Sequence, residues 1–254
     1  MDRPFPVSID EAPRRPQLAV GHAVMLPHQA MPTAGYWCGE HLPFGFNVRD
    51  PGRMKWSAAV GQVLRLAEHC SVMAGRADAG LLRVQELWAY GEILGARRDL
   101  DWVSVALSVD LPVQEVPWLC RPAGADLWAD LTRASKNPVG IQWRSVHAPA
   151  WNHHIVGPVL VWDADSGVRE DAISALREGR GSAVAIAAPS EENFMARMDD
   201  ELTVSLAELT RRTREYESEH TTRLGVRADA LHAAAQGYLD VLAAQTRDLA
   251  RGDS

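Results

Sequence analysis

Two aspartates placed two residues apart, close to a glycine, are the residues of this sequence best suited to chemistry. Asp99 and Asp101 stand directly before the alternating run 102–109, and Gly91 follows the apolar run 84–90. On a strand, side chains two residues apart point to the same face, so both carboxylates would share one face. Gly91 has no Cβ and would let another group approach the backbone closely. Because Mg²⁺ prefers carboxylate oxygens, this stretch is a candidate Mg²⁺ site.

The elements that would position these residues are predicted from hydrophobic periodicity and turn signals. Residues 55–74 repeat apolar side chains at spacings of four and three, which is typical of a helix. Residues 84–90 and 102–109 are predicted as two strands joined by a tight turn. The second strand is apolar on both faces, as in a central strand. Further elements are expected in the order helix, strand, strand and helix at 123–134, 139–146, 158–162 and 168–179.

Two details of these elements are open to test. In the helix at 123–134, Leu127 and Leu131 are expected to face the core. Residues 183–188 are compatible with either a short edge strand or the end of a helix.

The composition changes near residue 189. All nine tryptophans lie before residue 163, and neither tryptophan nor proline occurs after residue 189. Two apolar stripes with 4-3 spacing follow, at 198–216 and 224–249. They fall out of phase near 220–225, which indicates either one long helix with a stutter or two helices that meet at a turn. Thr221, Thr222 and Gly225 favour the turn.

The chain is predicted to divide into three parts. Residues 1–49 form a tail and a loop, because the first 36 residues are rich in proline and show no period. Residues 50–188 form an α+β domain. Residues 189–254 form a helical segment that packs on this domain or on a second copy of the chain.

A helix, then a strand that ends in glycine, then an Asp-x-Asp pair that opens a second strand resembles the nucleotidyltransferase superfamily of the small bacterial type. In that superfamily a Gly-Ser turn contacts the nucleotide phosphates, and two aspartates on the next strand hold Mg²⁺. A third carboxylate on a later strand completes the site. Such a cluster suits metal-assisted phosphoryl transfer, because Mg²⁺ takes hard oxygen ligands and neutralises the phosphates.

This resemblance implies a set of metal ligands with a catalytic role. Asp99 and Asp101 match the aspartate pair of the family. Asp163, at the end of the predicted strand 158–162, is implied as the third carboxylate, and Asp110 competes with it for this position.

The resemblance also implies a nucleotide-binding turn. Gly91 matches the glycine of the family, but Glu92 stands where the family has serine. A carboxylate there would repel a triphosphate and cannot donate a hydrogen bond when ionised, so the site is predicted to be degenerate. Arg97 and Arg98 would either bind phosphate or neutralise the neighbouring aspartates.

Both Asp-x-Asp pairs also have a simpler interpretation. Aspartate is common in turns before strands, so Asp99 and Asp101 are equally compatible with a turn. The stretch 163–167 reads Asp-Ala-Asp-Ser-Gly. A β-turn is favoured there over a calcium-binding loop, because position 12 of such a loop is not glutamate.

Composition and charge exclude some classes of function. The chain has 254 residues, of which 46% are hydrophobic, and its formal net charge is −7. General nucleic-acid binding is not expected, because it needs a basic surface that neutralises phosphates. No run of about 18 apolar residues exists, so no transmembrane helix is predicted. The N-terminus shows no signal-peptide pattern, and a cytoplasmic location is expected.

We therefore expect an α+β protein with a mixed β-sheet that resembles a nucleotidyltransferase fold, followed by a C-terminal helical hairpin. The leading functional prediction is a nucleotidyltransferase-like protein with a degenerate Mg²⁺–nucleotide site. The alternative is a non-catalytic scaffold or regulatory protein that acts through its C-terminal helices. A homodimer through residues 190–250 is a candidate assembly in either case.

Overall fold

The protein is described here from a computed structural model, which covers residues 53–76, 81–218 and 224–252, with side chains after 218 described only from 228 to 247. The strands are β1 Val84–Tyr90, β2 Val103–Val109, β3 Val139–Ser145, β4 Val159–Asp163 and β5 Gly167–Val168. They form one mixed sheet in the order β3–β2–β1–β4–β5. The predicted α+β class and mixed sheet are confirmed.

The register of the sheet is set around β1. This strand runs antiparallel to β2, with Tyr90 opposite Ser104, and antiparallel to β4, with Ala89 opposite Val159. β2 is parallel to β3. Because β2 has a neighbour on each side, its backbone is satisfied by both and its apolar side chains can fill both faces of the sheet.

Within the described ranges, five α-helices accompany the sheet. They are α1 Trp56–Ala74, α2 Ala125–Leu131, α3 Glu170–Glu178, α4 Glu191–Ser218 and α5 Leu224–Gly252. No helix in the described ranges combines the length and apolar character that a bilayer crossing needs.

One face of the sheet packs on α1 and α3. The predicted stripe of α1 is buried in this core, from Trp56 through Val63 to Cys70. From the sheet, every second residue of β2 enters the same core, which explains the valines at these positions. The indole Nε1 of Trp56 donates a hydrogen bond to the carbonyl of Leu176, 2.9 Å away, and so joins α1 to α3.

The opposite face of the sheet meets α4 and α5 through a second, smaller cluster. Its buried members are Tyr90, Ala106, Trp118, Ile155 and Val241. Because this face also carries serines and Arg144, the contact between the sheet and the C-terminal helices is far more polar than the main core.

Two sequence predictions about local structure are corrected. Leu127 and Leu131 of α2 face solvent, with 51% and 46% of their surface exposed. α2 is short, and it turns Trp128 inward, where its ring meets the ring of Trp143 edge-on at 5.7 Å. Burying the indole outweighs burying either leucine, because it removes more apolar surface from water. The stretch 183–188 is neither strand nor α-helix, but begins as a 3₁₀ turn at Gly181–Val184.

The C-terminal segment consists of two helices, as predicted. The side chain of Asp199, near the start of α4, accepts a hydrogen bond from Gln245, near the end of α5. The two helices are therefore antiparallel and form a hairpin. The predicted tail and loop at 1–49, and Thr221 and Thr222 of the predicted turn, lie outside the described residues.

Candidate functional site

The predicted glycine turn is formed, but Gly91 is needed there for its backbone conformation. Gly91 has a φ of +75° and begins a 3₁₀ turn, Gly91–Leu94, after β1. A Cβ at this position would lie 3.9 Å from Ser104, which is ordinary contact distance. The expected close approach to the backbone is thus corrected: the positive φ is what favours glycine.

The Asp99–Asp101 stretch is organised around the residue between the two aspartates. Leu100 is 1% exposed, and its backbone exchanges two hydrogen bonds with Met54, at 2.6 and 2.9 Å. Both aspartates are exposed, and Asp101 lies 3.7 Å from the guanidinium of Arg53. A buried leucine in a β-bridge accounts for this pattern without a metal.

The strand register separates Asp163 from the aspartate pair. Asp163 lies opposite Glu86 near the start of β1, whereas Gly91 follows the end of that strand. Five residues of strand span about 17 Å. Asp110, directly after β2, lies at the same end of the sheet as Asp163. The expectation that a third carboxylate joins Asp99 and Asp101 is therefore corrected, and no described group of three or more potential ligands could hold a metal ion.

Asp163 instead organises the turn between β4 and β5. Its Oδ1 accepts hydrogen bonds from the backbone N–H groups of Asp165 and Ser166, at 3.1 and 2.7 Å, and its Oδ2 accepts one from Arg169 at 3.3 Å. Desolvation would raise the pKa of Asp163, but these hydrogen bonds outweigh it and lower the pKa. The β-turn interpretation of this stretch is confirmed.

The charged residues after Gly91 pair with one another. Arg98 lies 2.6 Å from the carboxylate of Glu92, and both side chains are more than half exposed. Arg97 packs beside Gly179 at the end of α3. Arg98 thus neutralises Glu92 and not the aspartates.

We expect Mg²⁺ with ATP to leave the Tm of the wild-type protein unchanged, because the predicted ligands do not converge and Glu92 adds negative charge. A bound nucleotide at a hundredfold excess over Kd would stabilise the fold by about 2.7 kcal/mol and raise Tm by several degrees. Differential scanning fluorimetry measures this directly. Glu92→Ser is the matched variant, and a Mg²⁺-dependent rise in either protein would contradict the expectation.

The most unusual chemistry of the structure lies elsewhere, between the sheet and α4. Arg144 of β3 forms a buried ion pair with Glu201 of α4, and Arg197, one turn earlier on α4, lies 2.9 Å from the same carboxylate oxygen. Asn152 donates a hydrogen bond to the other oxygen of Glu201 at 3.0 Å. All four side chains belong to residues that are at most 8% exposed.

A second polar contact fixes α5. Asp240 accepts hydrogen bonds from Trp118 Nε1 at 2.8 Å, and its Oδ2 lies 3.0 Å from Nε2 of His153. Desolvation would raise the pKa of Asp240, but the hydrogen bonds from His153 and Trp118 lower it to about 2. Three residues before Asp240 on α5, Gly237 lies so close to the carbonyl of Trp118 that a Cβ would overlap the oxygen.

The sequence pattern did not reveal these residues as functional. Arg197, Glu201, Ser205 and Glu208 recur at helical spacing on α4, but a charged stripe is most simply a solvated helix face. In the structure this stripe is buried, and Leu206 beside it is 48% exposed. One sequence signal could have pointed to them: many charged residues of α4 have an oppositely charged residue one turn away, as Arg197 and Glu201 do.

The outer surface of α4 therefore carries an exposed row that faces away from the sheet, and only its first member, Asp199, also reaches α5, through its hydrogen bond with Gln245. We call this row the α4 outer face, and its residues, all exposed, are Asp199, Thr203, Leu206, Ala207, Thr210 and Arg214. The hydroxyls of Thr203 and Thr210 bond back to the carbonyls of Asp199 and Leu206, at 2.9 and 2.8 Å. This leaves their methyl groups free to contribute to an apolar surface. An open groove of about 520 Å³ runs beside this row, along Ala207, Thr210 and Arg214.

These features define an α+β protein whose two C-terminal helices dock on one face of a mixed sheet through buried charges. A family model described as a domain of unknown function, DUF7711, matches residues 54–247, and the chain belongs to this family. Comparison with curated proteins and with solved structures gave no match. The matched range includes the sheet, both docking contacts and the α4 outer face.

Proposed function

We propose that this chain is a non-catalytic scaffold or regulatory protein, and that the α4 outer face binds a second copy of the chain. The observation that carries the proposal is the orientation of α4. This helix buries Glu201 and Arg197, at 4% and 8% exposure, and turns Leu206 to solvent at 48%. Exposed apolar groups that lie together are typical of interaction sites, whereas isolated ones are not informative. On the α4 outer face, Leu206 and Ala207 lie together with the methyl groups of Thr203 and Thr210.

The charges at the two ends of the row favour a second copy as the partner. Asp199 stands near one end and Arg214 near the other, and Leu206 and Ala207 lie midway between them. A two-fold axis at the midpoint makes the two α4 helices antiparallel and sets Asp199 of each copy against Arg214 of the other. Such an isologous contact is self-complementary, which is how most homodimers are built.

The row is also suited to close helix packing. Its central residues are small or moderately sized, so two helix axes can approach to the 8–10 Å that packed helices require. An exposed face of about four turns supplies the core of an interface, and the flanking ion pairs give it orientation more than affinity.

The nucleotidyltransferase-like function stays a prediction. The helix, the strand ending in Gly91 and the turn before β2 support it. The separation of Asp163 from Asp99 and Asp101, and the pairing of Glu92 with Arg98, favour the scaffold function.

Site-specific cross-linking tests the proposed function in cells. A photo-reactive residue at Ala207 should yield one discrete cross-linked species, with twice the mass of the chain. The same residue at Val72 of α1, which is 58% exposed and lies on a helix of the opposite layer, is the control and should yield none. No discrete species at Ala207 would contradict the interaction role. A species of any other mass would contradict self-association but leave the role as an interaction surface standing.

A further inference from the structure

A small cavity lies where β3, α4 and the segment before α2 meet. The centre of a water-sized sphere can move within about 10 Å³ of it, so it has room for one water molecule or one slightly larger ion. Arg144, Arg197 and Glu201 line its polar side, and Val116 and Trp118 belong to its apolar walls. It lies on the inner side of α4, away from the α4 outer face.

In the cluster of Arg144, Arg197, Glu201 and Asn152, two hydrogen-bond donors have no acceptor among the described residues. Both oxygens of Glu201 are occupied, Oε1 by Arg144 and Arg197 and Oε2 by Asn152. The Nε–H groups of Arg144 and Arg197 are buried and find no acceptor among the described residues. Leaving a buried charged donor unsatisfied is costly, so two such donors beside one cavity indicate that an acceptor is bound there.

The charges of the cluster also do not balance. Among the residues that the structure describes, the two guanidinium groups share one buried carboxylate, that of Glu201, which leaves one positive charge in excess. The next carboxylate that acts on Arg197 belongs to Asp200, which is exposed and screened by solvent. Burial lowers the pKa of Arg197, and the charge of Arg144 lowers it further, although Glu201 opposes both.

We infer that this cavity binds one monovalent anion of about the size of chloride, held by the Nε–H groups of Arg144 and Arg197. Such an anion accepts both hydrogen bonds and cancels the excess charge, whereas a water molecule does only the first. The bound anion bridges β3 and α4, so it strengthens the docking of the C-terminal helices on the sheet. This role is independent of the proposed self-association.

Thermal unfolding of the full chain tests the inference, with sodium chloride or sodium bromide compared with sodium gluconate at the same ionic strength. Matching the ionic strength removes general screening from the comparison. Tm should rise in chloride and bromide by roughly 4 °C or more once the halide is at about twenty times its Kd. Equal Tm values in halide and gluconate would overturn the inference.

Variants separate this cavity from other sites on α4. Arg197→Met should abolish the halide response, whereas Arg211→Met, which removes the same charge from an exposed position of the helix, should keep it. Val116→Ile fills the cavity while it leaves both arginines in place, and should also abolish the response. A full halide response in Val116→Ile would place the anion elsewhere and overturn the inference.

Crystals grown with bromide give a readout that does not depend on any variant. An anomalous peak between Arg144 and Arg197 is expected in the wild-type protein. An ordered water at that position, with no anomalous signal, would show that the two donors are satisfied by solvent and would contradict the anion site.

Discussion

Glu201→Gln should lower the free energy of unfolding by about 3–5 kcal/mol, because it leaves two buried arginines without their counter-charge. Glu201 is 4% exposed and, in the part of the chain that the structure describes, is the one carboxylate in direct contact with both Arg144 and Arg197. A domain of this size is stable by only about 5–15 kcal/mol, so the variant should be close to unfolding at 37 °C. Urea unfolding followed by tryptophan fluorescence measures the change.

Two comparisons show where the cost arises. Glu215→Gln removes a carboxylate from the same helix that also pairs with two arginines, but Glu215 is 44% exposed, and its loss should cost less than about 1 kcal/mol. Replacing Arg144, Arg197 and Glu201 together by methionine or leucine should recover most of the lost stability, because no buried charge is then unpaired. A loss after Glu201→Gln no larger than after Glu215→Gln would contradict the buried cluster.

The same cluster predicts how stability depends on pH. Burial would raise the pKa of Glu201, but the charges of Arg144 and Arg197 outweigh this and lower it below the ordinary 4.5. A lowered folded-state pKa contributes stability above 4.5, and this contribution is lost as the pH falls through the folded value. The wild-type protein should therefore lose stability steeply below about pH 4.5. In Glu201→Gln this part of the pH dependence should be absent.

Gly237→Ala should destabilise the protein by about 1–3 kcal/mol and shift α5 away from the sheet. The new methyl group would overlap the carbonyl oxygen of Trp118 and lie 3.1 Å from its carbon. Trp118 cannot easily move aside, because its indole is bonded to Asp240 and the next residue, Leu119, has a φ of +60°. Hydrogen exchange of the α5 amides reports the shift.

Whether Gly237→Ala lowers or raises the free energy of unfolding shows which effect is larger, the contact of α5 with Trp118 or the helix propensity of alanine. Alanine is normally favoured over glycine inside a helix by about 1 kcal/mol, so an unconstrained position should gain stability. Gly61 of α1 is such a control, because its Cβ would meet only the far end of the Arg65 side chain, at 3.6 Å. If Gly237→Ala stabilised the protein as Gly61→Ala is expected to, the close contact of α5 with Trp118 would be wrong.

The elements around the main core, such as α1 and β2, could be predicted from the sequence. Their apolar residues recur at the spacing expected when one face of a helix or strand is buried. The α1 stripe and the alternation of β2 each place apolar residues on the side that meets the core. The two strands around Gly91 were also visible, because a glycine and an apolar run mark them.

The register of the sheet could not be predicted, and this register is what separates Asp163 from Asp99 and Asp101 in the candidate metal site. Asp163 stands at the end of an apolar strand, as a third ligand would, but whether that end meets Gly91 depends on the direction of β4. Long-range strand pairing leaves no local signal, because a strand has the same pattern whichever way it runs.

The buried face of the C-terminal helices was misjudged for a different reason. On α5 the predicted stripe through Leu231 and Leu242 is half-buried, and the fully buried row, Ala234, Gly237, Val241 and Ala244, is displaced by one residue. Small residues let a helix approach the sheet most closely. The buried face of α5 is therefore the one with the smallest side chains and not the most hydrophobic one. On α4 the choice was made by Arg144, whose charge drew Glu201 inward.

The α4 outer face rests on a charge pattern that can be reversed, and sedimentation equilibrium tests it most directly. Three proteins are compared over a range of concentrations: the wild type, Arg214→Asp, and Asp199→Arg with Arg214→Asp in one chain. We expect a dimer for the wild type, a shift towards monomer for the single variant, and recovery of the dimer when both charges are exchanged. A wild-type protein that sediments as a monomer at every concentration, or three proteins with the same dimer affinity, would contradict the account.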